Sequence, residues 1–146
     1  MFKKILVPID GSERGYEALK LACEVSKKFD SEIHILSVYR HHSLMESSIS
    51  MVRGGVEFEN LEDILGSYAQ ELVEVGKKIA IDSGLTKVKG FTRCGQIAKQ
   101  ILNIAKKNEN DLIVIGKQGT GDLSGYLLGG TSHKISGLAK VPVLVV

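Results

Sequence analysis

The sequence predicts a doubly wound α/β fold, in which an open sheet of five mostly parallel strands carries helices on both faces. Short apolar runs such as Ile5–Ile9 and Leu112–Ile115 are typical of strands that are buried on both faces. Longer segments between such runs repeat apolar residues with the period of a helix. The resulting order, β-α-β-loop-α-β-α-β-α-β, favours a mostly parallel sheet.

Length and composition fit a single domain over residues 1–146. Hydrophobic residues make up 43% of the chain and the net charge is only +2, which argues against bulk attraction to nucleic acid or membrane. No apolar stretch approaches the length of a membrane span, and the first run is too short for a signal peptide, so we expect a cytoplasmic protein. Cys23 and Cys94 form no CxxC pair, and we expect Cys23 to be a buried free thiol.

The first half of the chain predicts two strands and two helices. After the strand Ile5–Ile9, Ser12 is expected to cap a helix that ends at Asp30-Ser31, and Ile33–Val38 forms the second strand. The apolar face of that helix is Ala18, Leu21, Ala22, Val25 and Phe29. Residues 40–59 show no apolar period and predict a long loop. Asn60 is then expected to cap a helix whose core stripe is Leu61, Ile64, Leu65, Tyr68, Leu72, Val75 and Ile79.

The second half predicts three strands and two helices. Val88–Arg93 alternates in polarity as an edge strand does, and Leu112–Ile115 is a buried strand. A helix between them buries Ile97, Ile101, Ile104 and Ala105. After a glycine-rich stretch, Thr131–Ala139 predicts a short helix, and Val141–Val146 a last strand with proline at its start, where proline is tolerated.

Two loops predict a ligand site at the carboxyl end of the sheet. Ligands of open α/β sheets bind beyond the carboxyl ends of the strands, where the strand order reverses. Asp10-Gly11-Ser12 follows the first strand, and a loop beginning at Gly116 follows the fourth. If these strands are neighbours, both loops face one crevice. Glycines admit a phosphate close to the backbone, and the helix that follows presents free N–H groups, so the crevice suits an anion.

The glycine loop fits neither of two familiar phosphate-binding motifs. Gly125 and Gly130 have the P-loop gap, but Thr131 stands where the lysine should be. Gly119 and Gly121 begin a dinucleotide fingerprint that lacks its third glycine and follows the wrong strand. The spacing that remains is G-x2-G-x9-G, formed by Gly116, Gly119 and Gly129.

This spacing, opening into Thr131-Ser132, resembles the nucleotide-binding signature of the universal stress protein family, G-x2-G-x9-G-(Ser/Thr). The opening segment 5–13 and the closing segment 141–146 resemble the same family. The resemblance implies a Rossmann-like fold of the adenine nucleotide alpha hydrolase type and a role in stress response. It also implies ATP or AMP as the ligand, with Mg²⁺ as a companion ion.

The resemblance further implies roles for individual residues. Pro8 and Asp10 match positions on the adenosine side, with the aspartate near the ribose. Val38 matches the position whose backbone contacts the adenine. The positions that match the phosphate-binding loop and the serine near the phosphates are Gly116, Gly119, Gly129 and Ser132.

One position departs from the signature. The Ser or Thr expected after the last glycine is Gly130, so the backbone N–H remains and the hydroxyl is lost. A hydrogen bond to a charged group is worth about 1.5–3 kcal/mol, so we expect binding to be weakened rather than abolished. Thr131 is a candidate source of a substitute hydroxyl, and Lys117 of an additional charge. Tyr39 and the Arg40-His41-His42 cluster are candidates for selecting among adenine ligands.

The last strand also predicts an assembly. Val143–Val146 is apolar, and an unprotected apolar edge strand invites pairing with another chain. The resemblance implies a homodimer through this strand, and we expect two-fold symmetry.

Three functions are open at this point. The first is a nucleotide-binding regulatory protein that acts through a nucleotide-dependent homodimer on an unknown protein partner. The second is an interaction protein of the same fold that binds no nucleotide, which the missing hydroxyl at Gly130 favours. The third is a slow ATPase or a nucleotidyl transferase, ranked last because Asp10 is the only candidate base and could equally hold Mg²⁺ or the ribose. We predict no metal site at His41-His42, because adjacent side chains on an extended chain point in opposite directions.

Overall fold

The structure is a computed structural model that describes residues 1–40, 58–120 and 128–146. In these ranges the chain forms β1 (Lys4–Pro8), α1 (Glu13–Phe29), β2 (Glu32–Tyr39), α2 (Phe58–Asp82), β3 (Val88–Cys94), α3 (Ile97–Lys107), β4 (Leu112–Ile115), α4 (Gly130–Leu138) and β5 (Val143–Val145). The predicted loop at 40–59 and its two histidines lie almost wholly outside the described residues, as do Gly121 and Gly125.

The five strands form one sheet in the order β3-β2-β1-β4-β5. All four neighbouring pairs are parallel. Ile5 of β1 lies beside Ile33 of β2 and Leu112 of β4, so the first and fourth strands are neighbours. The predicted doubly wound α/β sheet is therefore confirmed, with β3 at one edge as expected.

Alternate residues of each strand enter two separate core layers, because side chains on a strand point to opposite faces in turn. Ile5 packs in the layer that includes Leu19 of α1 and Val73 of α2. Leu6 packs in the layer that includes Ile101 of α3 and Ile135 of α4. Helices therefore cover both faces of the sheet, which explains why its inner strands are apolar throughout.

Helix α1 begins and ends where the sequence predicts. The Ser12 hydroxyl accepts a hydrogen bond from the Gly15 N–H at 3.1 Å, which is the expected N-cap. Asp30 follows the helix in the left-handed conformation, with φ 55°, and its N–H donates to the carbonyl of Ser26. The predicted apolar face is only partly buried, since Leu21 and Phe29 remain 39% and 42% exposed.

Helix α2 corrects two predictions. It begins at Phe58, so Asn60 lies within the helix and is not its N-cap. The predicted core stripe was wrong for Ile64, Tyr68 and Val75, which are about half exposed. The face that meets the sheet is instead rich in small residues, and a Cβ on Gly76 would lie 3.1 Å from side-chain atoms of Ile35 and Ile9. Because small residues let the helix approach the sheet closely, several of the larger ones face outward.

Two further expectations concern the thiols and the membrane. Cys23 is a buried free thiol, as predicted, and burial raises its pKa. Cys94 is also free and lies at the end of β3. Across the parts of the chain described, no helix combines the length and apolarity needed to cross a membrane.

Candidate functional site

A cleft opens at the carboxyl ends of β1 and β4, where the strand order reverses. From β1 the chain proceeds outward to β2 and β3, whereas β4 and β5 lie on its other side. Asp10, which follows β1, and Gly116 and Gly119, which follow β4, all line this cleft. The sequence predicted that these two loops would face one crevice if β1 and β4 were neighbours, and the structure brings them together there.

One wall of the cleft is apolar. It is formed by residues at the ends of three strands and in the first turns of α3, namely Pro8, Ile9, Leu36, Val38, Ile97, Ile101 and Ile115. The Ile9 N–H donates to the Leu36 carbonyl at 2.8 Å, which keeps the chain beyond β1 beside β2. A wall of this kind suits a flat, weakly polar group such as an aromatic ring.

Asp10 joins the two loops on the polar side of the cleft. One carboxylate oxygen accepts from the Ser12 N–H at 3.0 Å, and the other accepts from the Thr120 N–H at 3.0 Å. An ionised carboxylate has about four acceptor positions, so Asp10 can accept further hydrogen bonds from a ligand. The same side chain therefore holds the loop after β1, holds the glycine loop and remains available for a ligand.

The base of the glycine loop is held by Ser132. Its hydroxyl lies 2.8 Å from the Lys117 carbonyl and 3.0 Å from the Gly129 carbonyl, so it can donate its one proton to either. The Gly129 N–H donates to the Lys117 carbonyl at 2.8 Å, and the Lys117 N–H donates to Val146. Ser132 was predicted to lie near the phosphates. The structure places it on the cleft wall, 2% exposed, with its hydroxyl engaged in holding the loop.

The amino end of α4 points into the site with its N–H groups uncapped by a side chain. Gly129 is the N-cap residue, and no side chain accepts a capping hydrogen bond there. The first N–H groups of a helix have no partner within it and carry a partial positive charge. This end of the cleft therefore suits an anion.

The predicted site residues separate into three groups. Those that line the cleft are Pro8, Asp10, Val38, Gly116, Gly119, Thr131 and Ser132. Gly130 lines a second, adjoining cleft that shares Asp10, Ile97, Gly119 and Thr131 with the first. Gly129 holds the loop from the N-cap of α4, and the Lys117 side chain, proposed as an additional charge, lies on neither wall.

Sequence reasoning missed part of both clefts. Leu36, Ile97 and Ile115 on the apolar wall were assigned only to the core. Gln96 and Lys134, which line the second cleft, were not singled out. A usable signal existed for Ile115 and Ile97, because the last residue of a parallel strand and the first turn of a helix that follows a strand lie at the same end of the sheet.

The titratable groups around the cleft are few. Tyr16 has a raised pKa, first through burial and then through Tyr68 and Asp10, so its phenol stays neutral well above physiological pH. The residues described contain no group of three or more histidine, cysteine or acidic side chains that could hold a metal ion. In the first cleft, Asp10 supplies a carboxylate, the amino end of α4 supplies backbone N–H groups, and the apolar wall completes the lining.

Comparison with known proteins decides the family. A sequence model of the universal stress protein family matches residues 1–146. The chain belongs to the universal stress protein family. It is 33% identical to the universal stress protein YxiE of Bacillus subtilis, over 100% of this chain and 99% of that protein. The predicted family is thus confirmed.

Solved structures of universal stress proteins share the fold. The structure of MJ0577, a universal stress protein of Methanocaldococcus jannaschii, superposes with a TM-score of 0.81 and is 34% identical, over 100% of this chain and 96% of that one. A universal stress protein solved in complex with cAMP superposes with a TM-score of 0.74, over 99% of this chain and 97% of that one. The latter is only 19% identical, and that likeness concerns the fold alone.

Proposed function

We propose that this universal stress protein binds an adenine nucleotide, ATP or AMP, in the cleft between β1 and β4 and acts as a regulatory protein. One observation carries the proposal. At the reversal of strand order, an apolar wall, the Asp10 carboxylate and the uncapped amino end of α4 meet in a single cleft. A nucleotide has the matching sequence of groups, namely a flat base, a ribose with hydroxyl donors and an anionic phosphate.

The orientation of the nucleotide follows from this arrangement. The adenine lies against the apolar wall beside Pro8 and Val38. The ribose hydroxyls donate to Asp10, which retains acceptor capacity after bonding Ser12 and Thr120. The first phosphate lies at the glycine loop and the amino end of α4. The cAMP complex of a distant relative supports the capacity of the fold for an adenine nucleotide.

Magnesium fits this site only together with the nucleotide. Among the described residues that line the two clefts, Asp10 is the one carboxylate. Mg²⁺ in nucleotide sites is commonly held by one or two carboxylates, several waters and the phosphates of the substrate. Asp10 would therefore serve as one ligand, and the nucleotide would have to supply others.

The proposed regulatory unit is a homodimer that forms through β5. This strand lies at the sheet edge and, within the described chain, pairs only with β4. Val143 and Val145 are partly buried and Leu144 is 36% exposed, so the edge carries few features that would discourage pairing. Val146 also bonds Ile115 and Lys117 at the base of the glycine loop. This contact is a route by which nucleotide binding would alter the edge strand.

The test is calorimetric titration of ATP and AMP onto wild-type protein and onto Gly119→Val. A valine at the loop blocks approach of the phosphates to the backbone, so we expect the affinity for both nucleotides to fall at least about tenfold. Gly137→Val is the control, because Gly137 lies in α4 outside both clefts with open space around it. Equal affinities in all three proteins would contradict the proposed site.

The second candidate is an interaction protein that binds no nucleotide. Gly130 favours it, because the expected hydroxyl is absent from the phosphate end of the cleft. Failure of the wild-type protein to bind either nucleotide would favour this candidate.

A further inference from the structure

A second cleft adjoins the first at the glycine loop and the first turn of α3. The two clefts share Asp10, Ile97, Gly119 and Thr131. Beyond these residues, the second cleft is lined by Arg40, Gln96 and Lys134. Because Gly119, Gly130 and Thr131 line it, this cleft borders the phosphate end of the proposed nucleotide site.

Two cations, Arg40 and Lys134, line this cleft. Arg40 directly follows β2, and Lys134 lies one turn after Gly130 on the same face of α4. Neither side chain forms a hydrogen bond or an ion pair with any residue that the structure describes. Elsewhere, lysines such as Lys87 pair with carboxylates on the surface. Asp10 is the only acidic residue among those described that line the second cleft, so positive charge is in excess there.

Two helix ends add to this excess. Ile97 and Ala98, in the first turn of α3, and Gly130 and Thr131, in the first turn of α4, all line the cleft. Gln96 is the N-cap of α3 and, like Gly129 at α4, makes no capping hydrogen bond through a side chain. The partial positive charge of both helix ends thus has the same sign as the two cations.

We propose that the second cleft is a polyphosphate subsite, in which Arg40 and Lys134 bind the phosphates beyond the first. The inference rests on the proposed function, because the adenosine of the same nucleotide occupies the first cleft. The Arg40 guanidinium can donate to two phosphate oxygens at once, whereas Lys134 contributes a point charge. These two residues therefore determine a preference for ATP over AMP. They also supply positive charge near Gly130, where the hydroxyl of the family signature is missing.

The test compares ATP, AMP and inorganic tripolyphosphate by calorimetric titration onto wild-type protein and onto the double variant Arg40→Gln, Lys134→Gln. We expect wild-type protein to prefer ATP, and the double variant to lose about ten- to thirtyfold in ATP affinity with AMP affinity unchanged within about twofold. The preference should also shrink as salt is raised, since exposed charges are screened. Lys20→Gln is the matched control, because Lys20 is exposed on α1 outside both clefts.

The outcomes separate this inference from the proposed function. Equal binding of ATP and AMP by wild-type protein, or equal losses for both in the double variant, would overturn the polyphosphate subsite and leave the nucleotide site standing. If neither nucleotide binds, the proposed function fails, and tripolyphosphate, which needs no adenosine pocket, decides the subsite alone. Saturable tripolyphosphate binding that the double variant loses would support the subsite, and its absence from wild-type protein would overturn it.

Discussion

Gly116 and Gly130 stand at opposite ends of the glycine-rich stretch and are glycine for different reasons. A Cβ on Gly116 would lie 2.9 Å from the backbone carbon and oxygen of Arg14, closer than real contacts allow. Gly116 is therefore required by the packing of α1 against the loop, whatever it contributes to a ligand. A Cβ on Gly130 would meet nothing within 4 Å, so its side chain is absent without a steric reason.

The open space at Gly130 gives the first prediction. Gly130→Ser restores the hydroxyl that the family signature carries, at a helical position that accepts a side chain. We expect ATP affinity to rise about tenfold, because a hydrogen bond to a charged group contributes at least about 1.5 kcal/mol to the binding free energy. Calorimetric titration measures the change, with Gly137→Ser as control because Gly137 is equally open and lies outside both clefts. Unchanged affinity would mean that Thr131 or water already fills this role, or that no phosphate lies there.

A second prediction concerns Glu32, which contacts the buried His34. His34 Nε2 bonds the Glu32 carboxylate, and Lys89 Nζ lies 3.1 Å from the same carboxylate. The bond from His34 is the main reason that the pKa of Glu32 is lowered, with Lys89 adding to it and burial opposing it. A lowered folded-state pKa means that the carboxylate stabilises the fold above its ordinary value of 4.5. This contribution is lost as pH falls through the folded-state pKa.

Glu32→Gln should therefore reduce the free energy of unfolding by about 1 kcal/mol at pH 7. The difference from wild type should persist down to about pH 4.5 and shrink below it. Urea denaturation across this range measures it. Glu24→Gln is the control, since its pair with Lys27 is well exposed and should matter little at any pH. A deficit of the same size at pH 3 and pH 7 would contradict the assignment.

At the scale of elements, Asp10 couples the loop after β1 to the loop after β4. Asp10→Ala removes both acceptors, so the amides of Ser12 and Thr120 should exchange hydrogen faster than in wild type, and nucleotide affinity should fall. Asp10→Asn is the matched comparison, because it retains one acceptor oxygen and should show a smaller increase. NMR-detected hydrogen exchange reports both amides. If the Thr120 amide exchanged at the wild-type rate in Asp10→Ala, the carboxylate would not be what holds the glycine loop.

For the whole molecule, the edge strand β5 gives a prediction about assembly. Leu144→Lys places a charge on an apolar edge, where charge discourages pairing, and we expect it to convert a dimer to a monomer. Size-exclusion chromatography with light scattering measures the mass. Ile81→Lys is the control. Ile81 is 56% exposed on α2, and this helix packs on β2 and β3, at the opposite end of the sheet from β5. The same mass in Leu144→Lys and wild type, whether dimer or monomer, would argue against assembly through β5.

The sequence was enough to predict the sheet and the position of the first cleft. Unbroken apolar runs in β1 and β4 indicated inner strands, and the loops after them indicated the site. The outward face of α2 could not be predicted from period alone, because the close approach at Gly76 and Gly90 decides which face is buried. A Cβ on Gly90 would lie 2.3 Å from the Val73 side chain. The second cleft could not be predicted from the sequence, because it forms only where the end of β2 meets the amino ends of α3 and α4.

The most direct test of nucleotide binding is to denature the purified protein, chromatograph what it releases, and titrate Mg-ATP onto the stripped protein. We expect release of ATP or AMP near one per chain, or saturable binding of Mg-ATP at cellular concentrations. A protein that releases no nucleotide and binds none when stripped would contradict nucleotide binding. That result would favour an interaction protein of the same fold that contacts its partners without a nucleotide.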